Sequence, residues 1–144
     1  MLRIERVQEL SDPRVADYRN VRDPELCRAA GLFMAEGRLN VQRLLEGGRY
    51  RVRSLFLTET GLEAMQPVLR THARELPVYL ADSAVLNEVV GFNLHRGCLA
   101  AGERGPTPLA RESFERADAG PRLWLALEDL SNADNVGGIF RNAA

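Results

Sequence analysis

Lysine is absent from this sequence. All 19 basic residues are arginine, set against 20 acidic residues, for a formal net charge of −1. Such a balance excludes a uniformly basic surface, so any phosphate-binding patch must be local. A GC-rich coding sequence accounts for the arginine bias without function, yet each cation is then a planar fork suited to phosphate or carboxylate. Cysteine is scarce too. Cys27 and Cys98 are too few and too far apart for a zinc cluster or a disulfide framework, and two reduced, partly buried thiols are the plain expectation. No apolar run approaches the roughly 18–20 residues that cross a bilayer. The opening residues MLRIERVQELSDPR lack the apolar stretch of a secretion signal. These absences predict a cytoplasmic protein with no membrane partner.

What is present is an ordinary globular composition. The 144 residues are 45% hydrophobic and 27% charged, enough for one domain or one domain plus part of another. Residues 1–30 read as a polar lead-in with short helical pieces, because Asp12-Pro13 and Asp23-Pro24 each set a capping residue before proline. Short apolar runs then alternate with amphipathic stretches. Leu32-Phe33-Met34-Ala35 reads as a buried strand. Arg38 to Glu46 reads as a helix with Val41, Leu44 and Leu45 on one face and Gly47-Gly48 as its stop. Val52 to Leu57 is the next strand, followed by a helix to about Ala73 that Thr58 or Thr60 can cap. Pro77 to Leu80 is another strand, Asp82 or Ser83 starts a helix through Val90, and Gly97 to Ala101 is a closing strand. This alternation predicts a three-layer α/β/α sandwich with a largely parallel sheet.

Residues 102–121 change character. Gly102, Gly105, Pro106, Pro108, Gly120 and Pro121 bracket a charged stretch, so residues 106–121 read as a linker after a first domain over 1–105. Leu123 to Leu127 is continuously apolar, as strands covered on both faces are. Asp134 or Asn135 can cap a helix whose Val136, Ile139, Phe140 and Ala143 form one stripe. Neither element can bury its apolar face alone, so residues 122–144 are expected to open a second domain whose remainder lies outside this chain.

Three segments resemble a known family. Phe33-Met34-Ala35-Glu36-Gly37, the run from Val52 to Thr58, and Gly91-Phe92-Asn93-Leu94-His95-Arg96-Gly97 together resemble the substrate-binding domain of SpoU/TrmH-type (SPOUT) RNA ribose methyltransferases. That domain is similar to the α/β/α RNA-binding fold of certain ribosomal and kink-turn-binding proteins. The segment from Asp134 to Ala143 resembles the first motif of the family's knotted catalytic domain, a pattern like N-x-G-x-x-x-R-x-A. The match spans about residues 25–144. The family's second and third motifs, which resemble an S-adenosylmethionine pocket, are not in this chain. The resemblance thus implies structured RNA (rRNA or tRNA) as partner and S-adenosylmethionine as cofactor of the parent protein rather than of this chain. It also implies a homodimer of the full-length protein and a catalytic role for Arg141, with Asn135 shaping the same site.

Methylating a ribose hydroxyl requires that oxygen to be oriented and activated near a methyl donor. Arginine stays protonated and is a poor general base, so a bidentate grip on the neighbouring phosphate is the more economical role for Arg141. Six residues of helix turn roughly 240°, so Asn135 and Arg141 converge more easily if Asn135 is the non-helical cap. Otherwise Asn135 only caps and Arg141 is solvated. Gly137-Gly138 sit where free N–H groups meet an anion, or where a neighbouring domain packs closely. Glu128, Asp129 and Asp134 match no metal-ligand spacing and read as a solvated acidic turn.

In the first domain, Glu36, Arg38, Asn40, His95 and Arg96 fall in loops or at element ends, where recognition residues sit on a rigid scaffold. Arginine suits phosphate, and neutral histidine stacks on a base or bonds a hydroxyl. The bland alternative is that Glu36 bonds nearby backbone while Arg38 or Arg96 pairs with it. His72 reads as a solvated helix residue. Arg49, Arg51 and Arg53 alternate along a strand, as an RNA-facing stripe or, preferably, as a wet edge that discourages aggregation. Phe92 and Tyr50 are placed for base stacking, although core burial suits Phe92 better. The residues together point to the RNA-binding portion of an RNA ribose 2′-O-methyltransferase, with this chain catalytically incomplete. A stand-alone RNA- or ribonucleoprotein-binding module is the alternative. A small nucleotide-binding protein is weaker, for want of a P-loop lysine or a G-x-G-x-x-G turn.

Overall fold

A computed structural model describes residues 3–19, 21, 27, 29–72, 75–106, 111, 124–130 and 132–143. The chain divides into two compact units, Met1–Thr107 and Pro108–Ala144. The first contains strands β1 (Arg3–Arg6), β2 (Leu32–Glu36), β3 (Val52–Leu57), β4 (Pro77–Leu80) and β5 (Cys98–Glu103). Its helices are α1 (Arg38–Gly47), α2 (Glu59–His72) and α3 (Ser83–Val90), with a 3-10 helix at Pro13–Tyr18. The strands expected at 52–57 and 77–80 and the first helix agree with these bounds to within a residue, because their apolar spacing is unambiguous.

The five strands form one sheet in the order β1-β4-β3-β5-β2. β1–β4 and β3–β4 are parallel, whereas β3–β5 and β2–β5 are antiparallel. The expected largely parallel sheet is therefore mixed. The reason lies after α3: residues 91–97 return the chain to the end of the sheet where the helix began, so Cys98 starts opposite Leu57 and β5 must run against β3.

Alternation along β3 sends residues to two cores. Leu55 and Leu57 join Val41 and Leu45 of α1 and Leu62, Met65 and Leu69 of α2 on one face. Phe56 joins Val15 and Tyr18 of the 3-10 helix and Leu86, Val89 and Val90 of α3 on the other. Buried Tyr18 also shares a 2.8 Å hydrogen bond with Ser54, which satisfies both hydroxyls inside the second core. Half-buried Phe92 packs against that same core, where the sequence placed it.

Several expectations need correction. The polar lead-in supplies a strand: Arg3-Ile4-Glu5-Arg6 adds to the open edge of β4, with Ile4 opposite Val78. Its charged composition suits an edge, which must resist further pairing. Asp12 does cap the 3-10 helix, accepting from Arg14 N–H at 2.9 Å. Arg53 is not on a wet edge, since β3 is the middle strand. It sits at an irregularity in the β3–β5 register and pairs with Asp17 at 3.1 Å and Glu103 at 3.5 Å. On the opposite edge, Phe33 of β2 lies across from Gly102 of β5. A Cβ at Gly102 would come within 2.4 Å of the Phe33 ring, so glycine there leaves the space that the aromatic ring fills.

In the second unit, α4 spans Ala133–Ala143. The strand expected at 123–127 is not formed over the described residues 124–127. Trp124, Leu125 and Leu127 are 48%, 42% and 38% exposed. A strand needs a neighbour to complete its ladder, and the described residues of this unit contain none. Of the expected linker only Pro106 and Arg111 are described, and Asp23-Pro24 lies outside the described residues.

Candidate functional site

The carboxyl ends of β2, β3 and β4 and the start of β5 meet at one end of the sheet, where α1, α2 and α3 all begin. Ligand crevices of α/β sheets form outside such strand ends. Here a cleft of about 280 Å³ is lined by Arg38, Thr58, Thr60 and Ser83 from the helix starts, and by Leu94, His95, Arg96 and Gly97 from the turn before β5.

Local chemistry explains the convergence. Thr58 caps α2: its hydroxyl accepts from Gly61 N–H at 3.2 Å and lies 3.0 Å from the Thr60 hydroxyl. Its own N–H donates to Gly97 O at 2.9 Å. Gly97 has φ of 54° and a Cβ there would stand 2.1 Å from Thr58 Oγ1. A Cβ at Gly61 would stand 2.3 Å from Gly97 O. Only glycine at both positions lets the β5 turn lie against the first turn of α2.

The turn that carries His95 and Arg96 is held from α3. Asn87 accepts from Leu94 N–H at 2.8 Å and donates to Asn93 Oδ1 at 3.2 Å, while its carbonyl accepts from Gly91 N–H at 2.9 Å. His95 and Arg96 are thereby exposed on a fixed turn.

Arg38 opens α1 behind Gly37, whose N–H donates to Cys98 O at 2.9 Å. Burial pushes the Cys98 thiol up to about 11, with the Arg38 charge acting weakly in the opposite sense. That thiol is therefore a packed group rather than a nucleophile. Asn40 Nδ2 donates to Glu36 O at 2.9 Å, so Asn40 and Glu36 build the β2–α1 corner beside the cleft and do not line it. Among the described residues, no ion pair joins Glu36 to Arg38 or Arg96. Asp82 occupies the cap position of α3 as expected, but its side chain makes no cap bond.

Of the predicted residues, the structure thus brings Arg38, His95 and Arg96 together. Thr58, Thr60 and Ser83 were legible only as candidate helix caps, and Asn87 gave no signal. Two guanidinium groups, a histidine and three hydroxyls, with no carboxylate among the described lining residues, suit a phosphate or a ribose-phosphate edge. Among the described residues no group of three metal-ligating side chains occurs. No described helix is long and apolar enough to cross a membrane.

In the second unit, the expected cap moves. Asn132 Oδ1 accepts from Asn135 N–H at 3.2 Å, so Asn135 lies in the first turn of α4 rather than before it. Asparagine is among the best caps and the alanine after it a strong helix former, which draws the start forward. Asn135 and Arg141 are then both helical and stand roughly 120° apart around the helix axis. A Cβ at Gly137 would lie 3.5 Å from Arg141 Nη1, and one at Gly138 3.9 Å from Nη2. The Arg141 guanidinium therefore folds back along its own helix beside the two glycines.

Comparison with known proteins gives this geometry a context. No protein-family model matches the chain. Its fold is shared with the crystal structure of an RNA 2′-O ribose methyltransferase, with a TM-score of 0.62, 21% identity, and coverage of 96% of this chain and 51% of that one. An AdoMet-bound rRNA methyltransferase from Sinorhizobium meliloti matches with a TM-score of 0.53 and 19% identity, over 73% of this chain and 38% of that one. A Mycobacterium bovis protein named as an uncharacterised tRNA/rRNA methyltransferase is 37% identical over 147 residues, covering 99% of this chain. Along almost its whole length the chain is thus similar to a protein named as a tRNA/rRNA methyltransferase. It spans 49% of the length of that Mycobacterium bovis relative. The segments whose sequence resembles SpoU-type motifs fall on the β2–α1 corner, the β3–α2 junction, the turn before β5, and α4.

Proposed function

We propose that this chain is the RNA-binding portion of an S-adenosylmethionine-dependent rRNA or tRNA ribose 2′-O-methyltransferase. Residues 1–105 act as its substrate-binding domain, 106–121 as the linker, and 122–144 as the opening of the catalytic domain. The observation that carries the reading is the meeting of Arg38, His95 and Arg96 around one cleft at the strand ends, in a chain related along almost its whole length to tRNA/rRNA methyltransferases. In this reading Arg38 and Arg96 contact RNA phosphates, and His95 bonds a ribose hydroxyl or stacks on a base. Glu36 and Asn40 hold the neighbouring corner against the same RNA. In the complete enzyme, Arg141 grips the phosphate beside the target ribose and Asn135 shapes that site. The whole protein acts in the cytoplasm, as a homodimer.

The described lining of this cleft does not fit the sulfonium of the methyl donor. S-adenosylmethionine carries a sulfonium cation, and a cleft flanked by Arg38 and Arg96, with no carboxylate among its described lining residues, repels it. Asn135 and Arg141 point apart on one helix. Methyl transfer is therefore assigned to no residue of this chain acting alone.

Fluorescence anisotropy with a labelled structured RNA, titrated across salt concentrations, tests the RNA reading. Binding should weaken steeply with salt. The double variant Arg38→Ala/Arg96→Ala should bind less tightly and lower the log–log salt slope by about 2. Unchanged affinity and slope in that variant would remove the cleft from RNA binding. Incubation of the chain with RNA and radiolabelled S-adenosylmethionine should transfer no methyl groups, and turnover above background would overturn the incompleteness of the chain.

A further inference from the structure

The opposite end of the sheet has a second recess that the reading above leaves unused. It lies where α1 ends and β3 and β4 begin, with a volume of about 440 Å³. Leu44, Leu45, Val52 and Leu76 give it an apolar portion, while most of its exposed lining, including Arg53, is polar. Its rim carries Tyr50, Arg51 and Glu75. Tyr50 is 39% exposed and held edge-on against Phe33, with ring centroids 5.1 Å apart. The Arg49 guanidinium lies 5.3 Å from the Tyr50 ring centroid. Arg51 keeps its side chain 81% exposed, and among the described residues its ion-pair partner is Glu103, at a long 3.6 Å.

These groups match one kind of ligand. A mixed recess with leucine side chains beside a braced aromatic ring accepts a flat π-system with polar edges, and ring-on-base stacking is tolerant of sequence. A guanidinium at the mouth suits the phosphate attached to that π-system, and Glu75 can accept from exocyclic amino groups of a base. α1 joins the two ends of the sheet over about 15 Å, the length of its 10 residues, so one RNA can reach both.

Resting on the RNA-binding reading above, we infer that the Tyr50–Arg51 recess is a second RNA contact, which takes one unpaired nucleotide of the RNA whose phosphates the Arg38–Arg96 cleft holds. The base stacks on the face of Tyr50 that Arg49 does not cover, and its phosphate meets Arg51.

Two hairpin RNAs test this, one blunt-ended and one ending in an unpaired purine, each measured by fluorescence anisotropy. The wild-type chain should bind the overhanging hairpin roughly ten-fold more tightly, as one stacked base allows. Tyr50→Leu keeps apolar bulk but no π-face, and should erase that preference while leaving blunt-hairpin affinity intact. Tyr50→Trp should restore it, and matching thermal melts would separate lost stacking from lost folding. A wild-type chain that binds both hairpins equally, or a Tyr50→Leu variant that keeps the preference, would overturn the inference. If Arg38→Ala/Arg96→Ala weakens both hairpins while Tyr50→Leu changes nothing, the recess fails and the cleft stands. If that double variant changes neither hairpin, the cleft reading itself fails.

Discussion

Replacing Asn87 by alanine probes how the fold presents His95 and Arg96. The substitution removes the acceptor for Leu94 N–H at 2.8 Å and the donor to Asn93 at 3.2 Å. Leu94 is buried in the core under α3, so its orphaned amide costs about 1–3 kcal/mol. Asn93 is exposed and re-solvates at little cost. Alanine is the better helix former within α3 and returns about 0.7 kcal/mol, leaving a net loss of roughly 0.3–2.3 kcal/mol. Urea unfolding should show that loss as a lower midpoint at unchanged m, with faster hydrogen exchange at the Leu94 amide. RNA affinity should fall several-fold because the turn is no longer held, yet the salt slope should stay the same, since no phosphate contact is deleted. Asn87→Asp keeps an acceptor for Leu94 N–H and should recover most of the stability. The reasoning is refuted if Asn87→Ala leaves Leu94 exchange and RNA affinity at wild-type values.

Three further outcomes follow from packing and titration. Gly97→Ala forces a Cβ against Thr58 Oγ1 at a backbone φ of 54°. It should destabilise the chain by at least ~2 kcal/mol in urea unfolding, and a near-neutral result would show that the β5 turn can move away from α2. Tyr18→Phe strands the buried Ser54 hydroxyl and should cost about 1–3 kcal/mol; adding Ser54→Ala should recover part of it, and strict additivity would contradict the 2.8 Å bond. Cys98 is favoured in its neutral form, so its contribution to stability is full below the ordinary thiol value of 9.0 and is lost as pH rises toward about 11. Iodoacetamide at mildly alkaline pH should therefore modify half-buried Cys27 first, and equal labelling of the folded chain would refute the burial argument.

Legibility in the sequence followed how local each determinant was. β3 and α1 could be read because Val52 to Leu57 and the Val41, Leu44, Leu45 spacing depend on nothing beyond their own period. β1 could not: Arg3-Ile4-Glu5-Arg6 has a single apolar residue, and its strand form is imposed by the unpaired edge of β4. The opposite error arose at Trp124 to Leu127, where apolar composition alone promised a strand that requires a neighbour. At the site, Arg38, His95 and Arg96 were visible as cations and an imidazole in connecting segments. The hydroxyls of Thr58, Thr60 and Ser83 looked like helix caps because they are also that, and only the shared sheet end turns three separate caps into one wall. Asn87 was invisible, since its partners lie across a turn whose shape no periodicity encodes.

Gly102 binds distant parts of the first unit into a shared fate. A methyl group there would evict the Phe33 ring, and Phe33 is what steadies Tyr50 from behind. A change buried in β5 would thus be felt as slackness at the mouth of a hollow formed by other segments. Variation at positions 33, 50 and 102 is therefore expected to be correlated: bulk gained in the strand has to be matched by aromatic surface given up at the rim.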